Sequence, residues 1–519
     1  MKSLYRSLYS DWKSVPIKHG IAPTKVWPSK FIRLQDFPGY VKYWRDVPSR
    51  ASMFDRINGF FENRTVSVNY DILDRATEYV SNMWVEHYGQ DNRLLTLKKS
   101  ADLLPSSTSA GLPFSTGVKK GEVKRSLLRM AAAQWTNIKK GKTIKIMPCR
   151  SGARRQLREV GKNKPRLIWA YPGYLSILEN QFVGVLQQYD PPKFMGWSIN
   201  WLDYGRSLER VTFNSGLRWG AIAQLDFSSF DATIPEFLIH KAFNIVKMMF
   251  NLSREEKIML DNLKYYFIHT PILFYETIIV KHRGIPSGST FTQLIGSICN
   301  MIMCKYADLV SWYSFGLCLK DSCWLGDDSL LFFREGIAKE EFNDRYLKYF
   351  DHFGVEVNED KSNYVVRNSW TYEDINFCSM SVKFLGRAIC PDCKCFKLSF
   401  SKFDAQVAWP ESEDKTVHDT GTRLIGLVWA YGMYYDTYTK LAVAFKRLNL
   451  PNNRVSPELV TGLTNRDVSR FLTMFVGHGG DVPLSFPTFE EVSDRYFDNV
   501  HISRSYRTKN MDITRPRPV

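Results

Sequence analysis

Residues 323–333 read CWLGDDSLLFF, with apolar side chains on both sides of two adjacent aspartates, Asp327 and Asp328. An isolated carboxylate in apolar surroundings is costly and normally takes up a proton. A pair can stay ionised if a positive charge lies between them, and a divalent cation supplies one. The same residues would also make an ordinary hairpin tip with two solvated acids, because Gly-Asp-Asp is good turn chemistry. The segment alone leaves both readings open.

The bulk composition narrows the class. A chain of 519 residues is too long for one simple core, so several subdomains are expected. An apolar fraction of 44% with 14% aromatics belongs to a folded protein. Nine cysteines, mostly single within apolar stretches, argue against a disulfide framework and fit a reducing compartment. The opening MKSLYRSLYSDWKSVP has no continuous apolar core, so no secretory signal is expected. No run reaches the roughly 18 apolar residues of a membrane span. LIGLVWAYGMYY (424–435) comes nearest and is too short. The expectation is a soluble, basic, intracellular-type protein.

The formal net charge of +17 points to a polyanionic partner, nucleic acid before membrane. The excess is concentrated. Between Lys119 and Arg166 stand sixteen Lys or Arg against Glu122 and Glu159, a local charge of +14. Solvated helical faces usually mix both signs, so a window this one-sided reads as a phosphate-binding surface. TNIKKGKT (136–143) only imitates a P-loop, since Thr136 stands where the first glycine should be. GKNKP (161–165) lacks the Ser or Thr that would hold magnesium.

Periodicity predicts helices near 70–90, 122–140 and 339–352, with extended or irregular chain up to about residue 65. A Ser- and Pro-rich loop falls at 103–114, and short strands are expected near 354–399. WGAIAQLDFSSFDATIP (219–235) reads as a buried strand ending in polar residues. HRGIPSGSTFTQLIGSICNMIMCKYADLV (282–310) reads as a glycine-bearing loop running into a long helix. CPDCKC (390–395) lacks a second Cys or His pair at zinc spacing and reads as a hairpin tip. Strands between flanking helical regions predict an α+β protein with its sheet in the middle.

If Asp327 holds a cation, another chain segment should supply a second ligand, and Asp226 fits. It follows AIAQL, so it ends an apolar strand, with Asp231 five residues on. Two strands delivering acids to one edge form a clamp for two ions about 3.5–4 Å apart. Such a clamp lowers the charge cost of in-line phosphoryl displacement.

DFSSFD (226–231), GIPSGSTFTQ (284–293) and LGDD (325–328), in that order, resemble motifs A, B and C of viral RNA-dependent RNA polymerases. The form of the second motif is most similar to the picobirnavirus and partitivirus group of double-stranded RNA viruses. STSAGLPF (107–114) resembles the template-entry motif G, and KNKPRLI (162–168) resembles motif F. NEDKSN (358–363) resembles motif D, and FLGR (384–387), with Gly386, resembles the primer-grip turn of motif E.

The resemblance implies a right-hand polymerase that copies RNA with ribonucleoside triphosphates and two Mg2+ or Mn2+ ions. Fingers would come from 1–218 and 250–283, palm from 219–249 and 284–394, and thumb and tail from 395–519. It implies Asp226 and Asp327 as metal ligands, with Asp328 assisting. Lys361 would protonate the leaving pyrophosphate, and Lys164 and Arg166 would neutralise the incoming triphosphate. Asp231 and Ser287 would read the ribose, with Thr292 in the same nucleotide-binding set and Gly288 contacting RNA. Many related polymerases have an asparagine four residues after the threonine, where this chain has Gly296. Asn300, one turn later on the same face, takes the sugar-reading role or is a polar residue at a helix interface. Ser109, Gly111 and Pro113 would shape the template entrance, and Arg154 and Arg155 would extend the RNA channel. RNA template and product are the implied partners, with a viral capsid protein and no membrane, in the host cytoplasm and within the virion. A reverse transcriptase and a non-enzymatic basic RNA-binding or packaging protein are the alternatives.

Overall fold

The computed structural model describes residues 27–45, 49–106, 108–154, 157–162, 166–196, 220–311, 315–366, 374–377, 380–385, 388–389, 395–396, 400–410, 413–432, 435–456 and 485–492. Lys164, Arg155, Gly386, most of CPDCKC and the C-terminal tail lie outside them, as does the side chain of Arg154.

Eight strands build two four-stranded sheets. In chain order they are β1 (Cys149–Arg154), β2 (Arg166–Ala170), β3 (Ala221–Leu225), β4 (Pro271–Phe274), β5 (Thr277–Val280), β6 (Cys323–Leu325), β7 (Asp328–Phe333) and β8 (Asn363–Val366). The central sheet has the order β8-β3-β7-β6 and is antiparallel throughout. All five residues of β3 are buried, as the apolar run AIAQL requires of a central strand covered on both faces. The second sheet has the order β2-β1-β4-β5 and carries the basic strands.

Six long helices share one continuous core with the central sheet: Tyr70–Tyr88, Lys124–Lys139, Gly173–Leu186, Glu236–Met248, Arg254–Ile268 and Thr292–Val310. The first starts at Asn69, whose side chain accepts the N–H groups of Asp71 and Ile72. Its buried Leu73, Ala76, Val80 and Trp84 follow the three-and-four spacing of one helical face. The helices Gly173–Leu186 and Thr292–Val310 are enclosed on nearly every side. Their few polar side chains must therefore find partners inside the protein.

A second core joins the helices Phe400–Ala408, Val417–Tyr431 and Tyr435–Lys446 to Ile32 and Phe37. Among the described residues no helix is long and apolar enough to cross a membrane.

Two local expectations change. Within the first 65 residues the chain forms the helix Arg50–Asn58, capped by Ser49 and anchored by Met53 and Ile57 one turn apart. The pattern predicted as one helix over 339–352 divides into an α-helix, Lys339–Arg345, and a 3-10 helix, Leu347–Phe353. Tyr346, at the break, packs among Phe333, Phe342 and Phe350. Aromatic packing outweighs continuity of the helix there.

Candidate active site

The register of the central sheet assembles the acids. Leu325 pairs with Asp328, so Gly326 and Asp327 are the two residues of the β6–β7 hairpin loop. Gly326 has φ +68°, the conformation that a two-residue hairpin of this class asks of its first loop position. On the other side of β7, Leu225 pairs with Ser329. One step further along, Asp226 comes level with Asp328, with Asp327 beside it at the tip.

The turn is held from behind by the helix Thr292–Val310. Ser297 accepts the Gly326 N–H at 2.8 Å, and Asn300 donates to the carbonyls of Gly326 and Asp327, both at 3.1 Å. Asn300 is fully buried with its amide donors on the turn, which fits the second of its two readings, a polar residue at a helix interface.

Asp226 is strapped to the loop that leads into β8. Its N–H donates to Ser362 Oγ at 3.0 Å, and its carbonyl accepts the Asn358 N–H at 2.7 Å. The same loop brings Lys361 Nζ to 3.8 Å from Asp226 Oδ2.

A cavity of about 550 Å³ opens in front of the acids. Asp231, Ser287, Asp327, Arg158 and Arg166 are among the residues that line it. Asp327 is open to solvent through this cavity, yet enclosure on its other sides pushes its carboxyl above the usual range, with the Asp226 charge adding to the effect. Asp231 is pushed up to about 7 by burial first and by the Asp327 charge second, with Arg166 opposing. The Asp226 charge raises Asp327 and the Asp327 charge raises Asp231, a crowding of acids that a cation would relieve. Among the described residues no trio of His, Cys, Asp or Glu is arranged to hold an ion alone.

The other predicted residues take distinct places. Ser287 is exposed into the cavity, whereas Thr292 turns to its own loop and donates to the Pro286 carbonyl at 2.5 Å. Gly288 lies so close to β2 that a Cβ would meet the Trp169 carbonyl oxygen at 1.9 Å. Ser109, Gly111 and Pro113 form a neighbouring loop packed on the chain just after β2, with Ser109 Oγ accepting the Gly111 N–H. Arg154 lies at the end of β1, paired in register with Arg166.

Several charged residues of the site, Asp55 and Glu62 at the cavity among them, were not singled out from the sequence. Arg56 and Arg64 line the cavity from the N-terminal region, where no motif marks them. Lys281 is fully buried and donates to the carbonyls of Phe267, Ile268 and Gly284, tying a helix end to the start of the Ser287 loop. Glu179, also fully buried, accepts from Ser289 and Thr290 in that loop. A charge inside an apolar helix was the available signal for Glu179.

Comparison with known proteins agrees with this geometry. Residues 79–442 match the family described as viral RNA-dependent RNA polymerase. The RNA-directed RNA polymerase of Cryptosporidium parvum virus 1 is 45% identical over 508 residues, covering 95% of this chain and 96% of that protein. The crystal structure of a human picobirnavirus RNA-dependent RNA polymerase aligns with a TM-score of 0.58 at 14% identity, covering 98% of this chain and 91% of that one. A mutant of a human picobirnavirus polymerase lacking an insertion loop aligns at 0.56 and 15%, covering 86% and 84%. These two likenesses establish the right-hand polymerase fold. With a matched family region spanning most of its length and a near-full-length relative, this chain belongs to the viral RNA-dependent RNA polymerases, enzymes that copy RNA from an RNA template.

Proposed function

We propose that the β3–β7 edge is the centre for nucleotidyl transfer, with Asp226 and Asp327 as cation ligands and Asp328 assisting. The observation that carries this is the register: the pairing of Leu225 with Ser329 sets acids from two distant segments side by side. When bound, two divalent ions, Mg2+ or Mn2+, activate the attacking 3′-hydroxyl and neutralise the leaving pyrophosphate.

The chain's own groups supply the rest. Arg166, with Lys164 and Arg158, binds the triphosphate. Asp231 and Ser287 read the ribose 2′-hydroxyl, which both donates and accepts. Lys361, near Asp226, gives a proton to the pyrophosphate as it leaves. Ser109, Gly111 and Pro113 guide the template, Arg154 and Arg155 line its path, and Gly386 belongs to the primer grip. Positioning and charge neutralisation provide most of the rate.

In this reading residues 1–218 and 250–283 are fingers, 219–249 and 284–394 palm, and 395–519 thumb and tail. The enzyme replicates and transcribes a viral genome in the host cytoplasm, within a virion and beside a capsid protein.

The test is nucleotide incorporation on a single-stranded RNA template with Mg2+ or Mn2+, with ribonucleotides and deoxynucleotides in parallel. Asp327→Asn is expected to lower ribonucleotide incorporation by about a thousandfold or more while RNA binding persists. Unchanged activity in that variant would remove Asp327 from the centre. Preferred use of deoxynucleotides would overturn the roles given to Asp231 and Ser287.

A further inference from the structure

Glu179 sits in the middle of a helix buried on every face, and it has no exposed surface. A carboxylate there must be satisfied by donors. Ser289 donates its hydroxyl to one oxygen at 2.8 Å, and the Thr290 N–H donates to the other at 2.7 Å. Both donors belong to the loop that carries Ser287. Ser289 Oγ in turn accepts the Phe291 N–H at 3.1 Å, which continues the grip into the start of the helix Thr292–Val310.

Two other segments lie near the same carboxyl. Tyr171, one residue beyond β2, lies buried against it. Lys120, buried in the chain that follows the 109–113 loop, lies near enough for the Glu179 charge to favour its protonated form against burial. Burial pushes the Glu179 carboxyl up to about 7, against the pull of its hydrogen bonds.

The loop takes a course that glycine permits, with Gly284 at φ +77° and Gly288 lacking a Cβ where it meets β2. It leans on β2, the strand that begins with Arg166. If the need were only to fill space, an apolar side chain would do so without the desolvation cost. A two-pronged acceptor fixes one side chain and one backbone amide of the loop in a single geometry.

We propose that Glu179 is a positioning residue for nucleotide selection: by gripping Ser289 and Thr290 it holds the Ser287 loop against β2, so that Ser287 and Arg166 meet the incoming nucleotide at a fixed spacing. This rests on the roles given above to Ser287 and Arg166.

The test uses the full chain and compares Glu179→Ala, Glu179→Gln and Ser287→Ala with the parent protein. Steady-state incorporation of ribonucleotides and deoxynucleotides is measured alongside RNA affinity and melting temperature. Glu179→Ala is expected to raise KM for ribonucleotides about tenfold and to narrow the ribose preference by a similar factor. Its kcat should fall less, and its RNA affinity should hold. Glu179→Gln keeps an acceptor for the Thr290 N–H and should lie between it and the parent. Ser287→Ala should narrow the preference too.

If Ser287→Ala narrows the preference while a folded Glu179→Ala leaves KM and preference unchanged, the positioning role fails and the ribose assignment stands. If Ser287→Ala leaves the preference intact, the ribose assignment fails and takes the positioning role with it. Should Glu179→Ala not fold, Glu179→Gln and Ser289→Ala carry the test. Equal losses of kcat, RNA affinity and melting temperature in those two, with KM and sugar preference unmoved, would reduce Glu179 to a structural group.

Discussion

Asn300 and Asp231 show how burial decides the work of a single polar residue. Both of the hydrogen bonds that Asn300 donates end on the backbone of the Gly326–Asp327 turn. Asn300→Ala would take the side-chain donor from two part-buried carbonyls, at a cost of about 1–3 kcal/mol in stability. The expected signature is a lower kcat and a lower denaturant midpoint with an unchanged ratio of ribonucleotide to deoxynucleotide use. A changed ratio would return Asn300 to sugar reading. Asp231 carries the opposite kind of strain, since its folded-state pKa of about 7 lies well above the ordinary aspartate value. The folded protein therefore holds a proton there that the unfolded chain has already lost, and stability falls as pH rises from about 4 to about 7. A cation at the site would relieve that penalty once Asp231 is ionised. The rise in melting temperature on adding Mg2+ or Mn2+ should thus be larger at pH 7.5 than at pH 5.5, and equal rises would argue against ion binding beside Asp231.

The loop and helix over 284–310 form the element on which the site depends most. Its loop touches β2 and Glu179, and its helix touches the acid turn. Two glycines separate these functions. At Gly288 a Cβ would meet backbone at 1.9 Å, so Gly288→Ala must push the loop off β2. A loss of about 1–3 kcal/mol is expected, with a steep fall in incorporation. At Gly296, inside the helix, a Cβ would have neighbours no nearer than 3.5 Å, which is ordinary contact. Gly296→Ala should stabilise the protein by about 0.5–1 kcal/mol through helix propensity alone, with activity kept. Chemical denaturation of the two variants side by side checks both expectations.

At the scale of the whole molecule, residues 27–45 join parts that are far apart in the chain. Tyr43–Arg45 pairs antiparallel with Leu157–Glu159 on the side of the basic strands. The preceding residues pack on the C-terminal helices: Phe37 is fully buried beside Phe403, and the Gly39 N–H donates to the buried Asp404 at 2.9 Å. Arg45 donates to the Trp409 carbonyl at 2.9 Å. Such a strap ties the C-terminal helices to the segment beside the basic strands. Phe37→Ala should cost about 3–5 kcal/mol. It should shorten RNA products more than it slows addition of a single nucleotide, as read from product-length distributions on a long template. Equal effects on both would assign Phe37 to stability alone.

The chain's own pattern determined the acids at strand ends, the glycine-bearing loop before a long helix, and the one-sided basic window. Each of these is a local statement of polarity and spacing: an apolar strand that stops at an aspartate, or a turn that needs Gly326. Tertiary structure alone decided which surface each polar group meets. Periodicity put Asn300 on the same face as Gly296, but only packing showed that the acid turn lies against that face. Arg56 and Arg64 reach the cavity because their segment folds over it, and nothing local marks them. Glu179 and Lys281 are charged, and local pattern places charge at the surface. Their burial follows from neighbours more than a hundred residues away for Glu179, and from a helix end and a loop that close around Lys281. Which groups satisfy a buried charge is a property of the assembled interior, so it cannot be read from the spacing of residues along the chain.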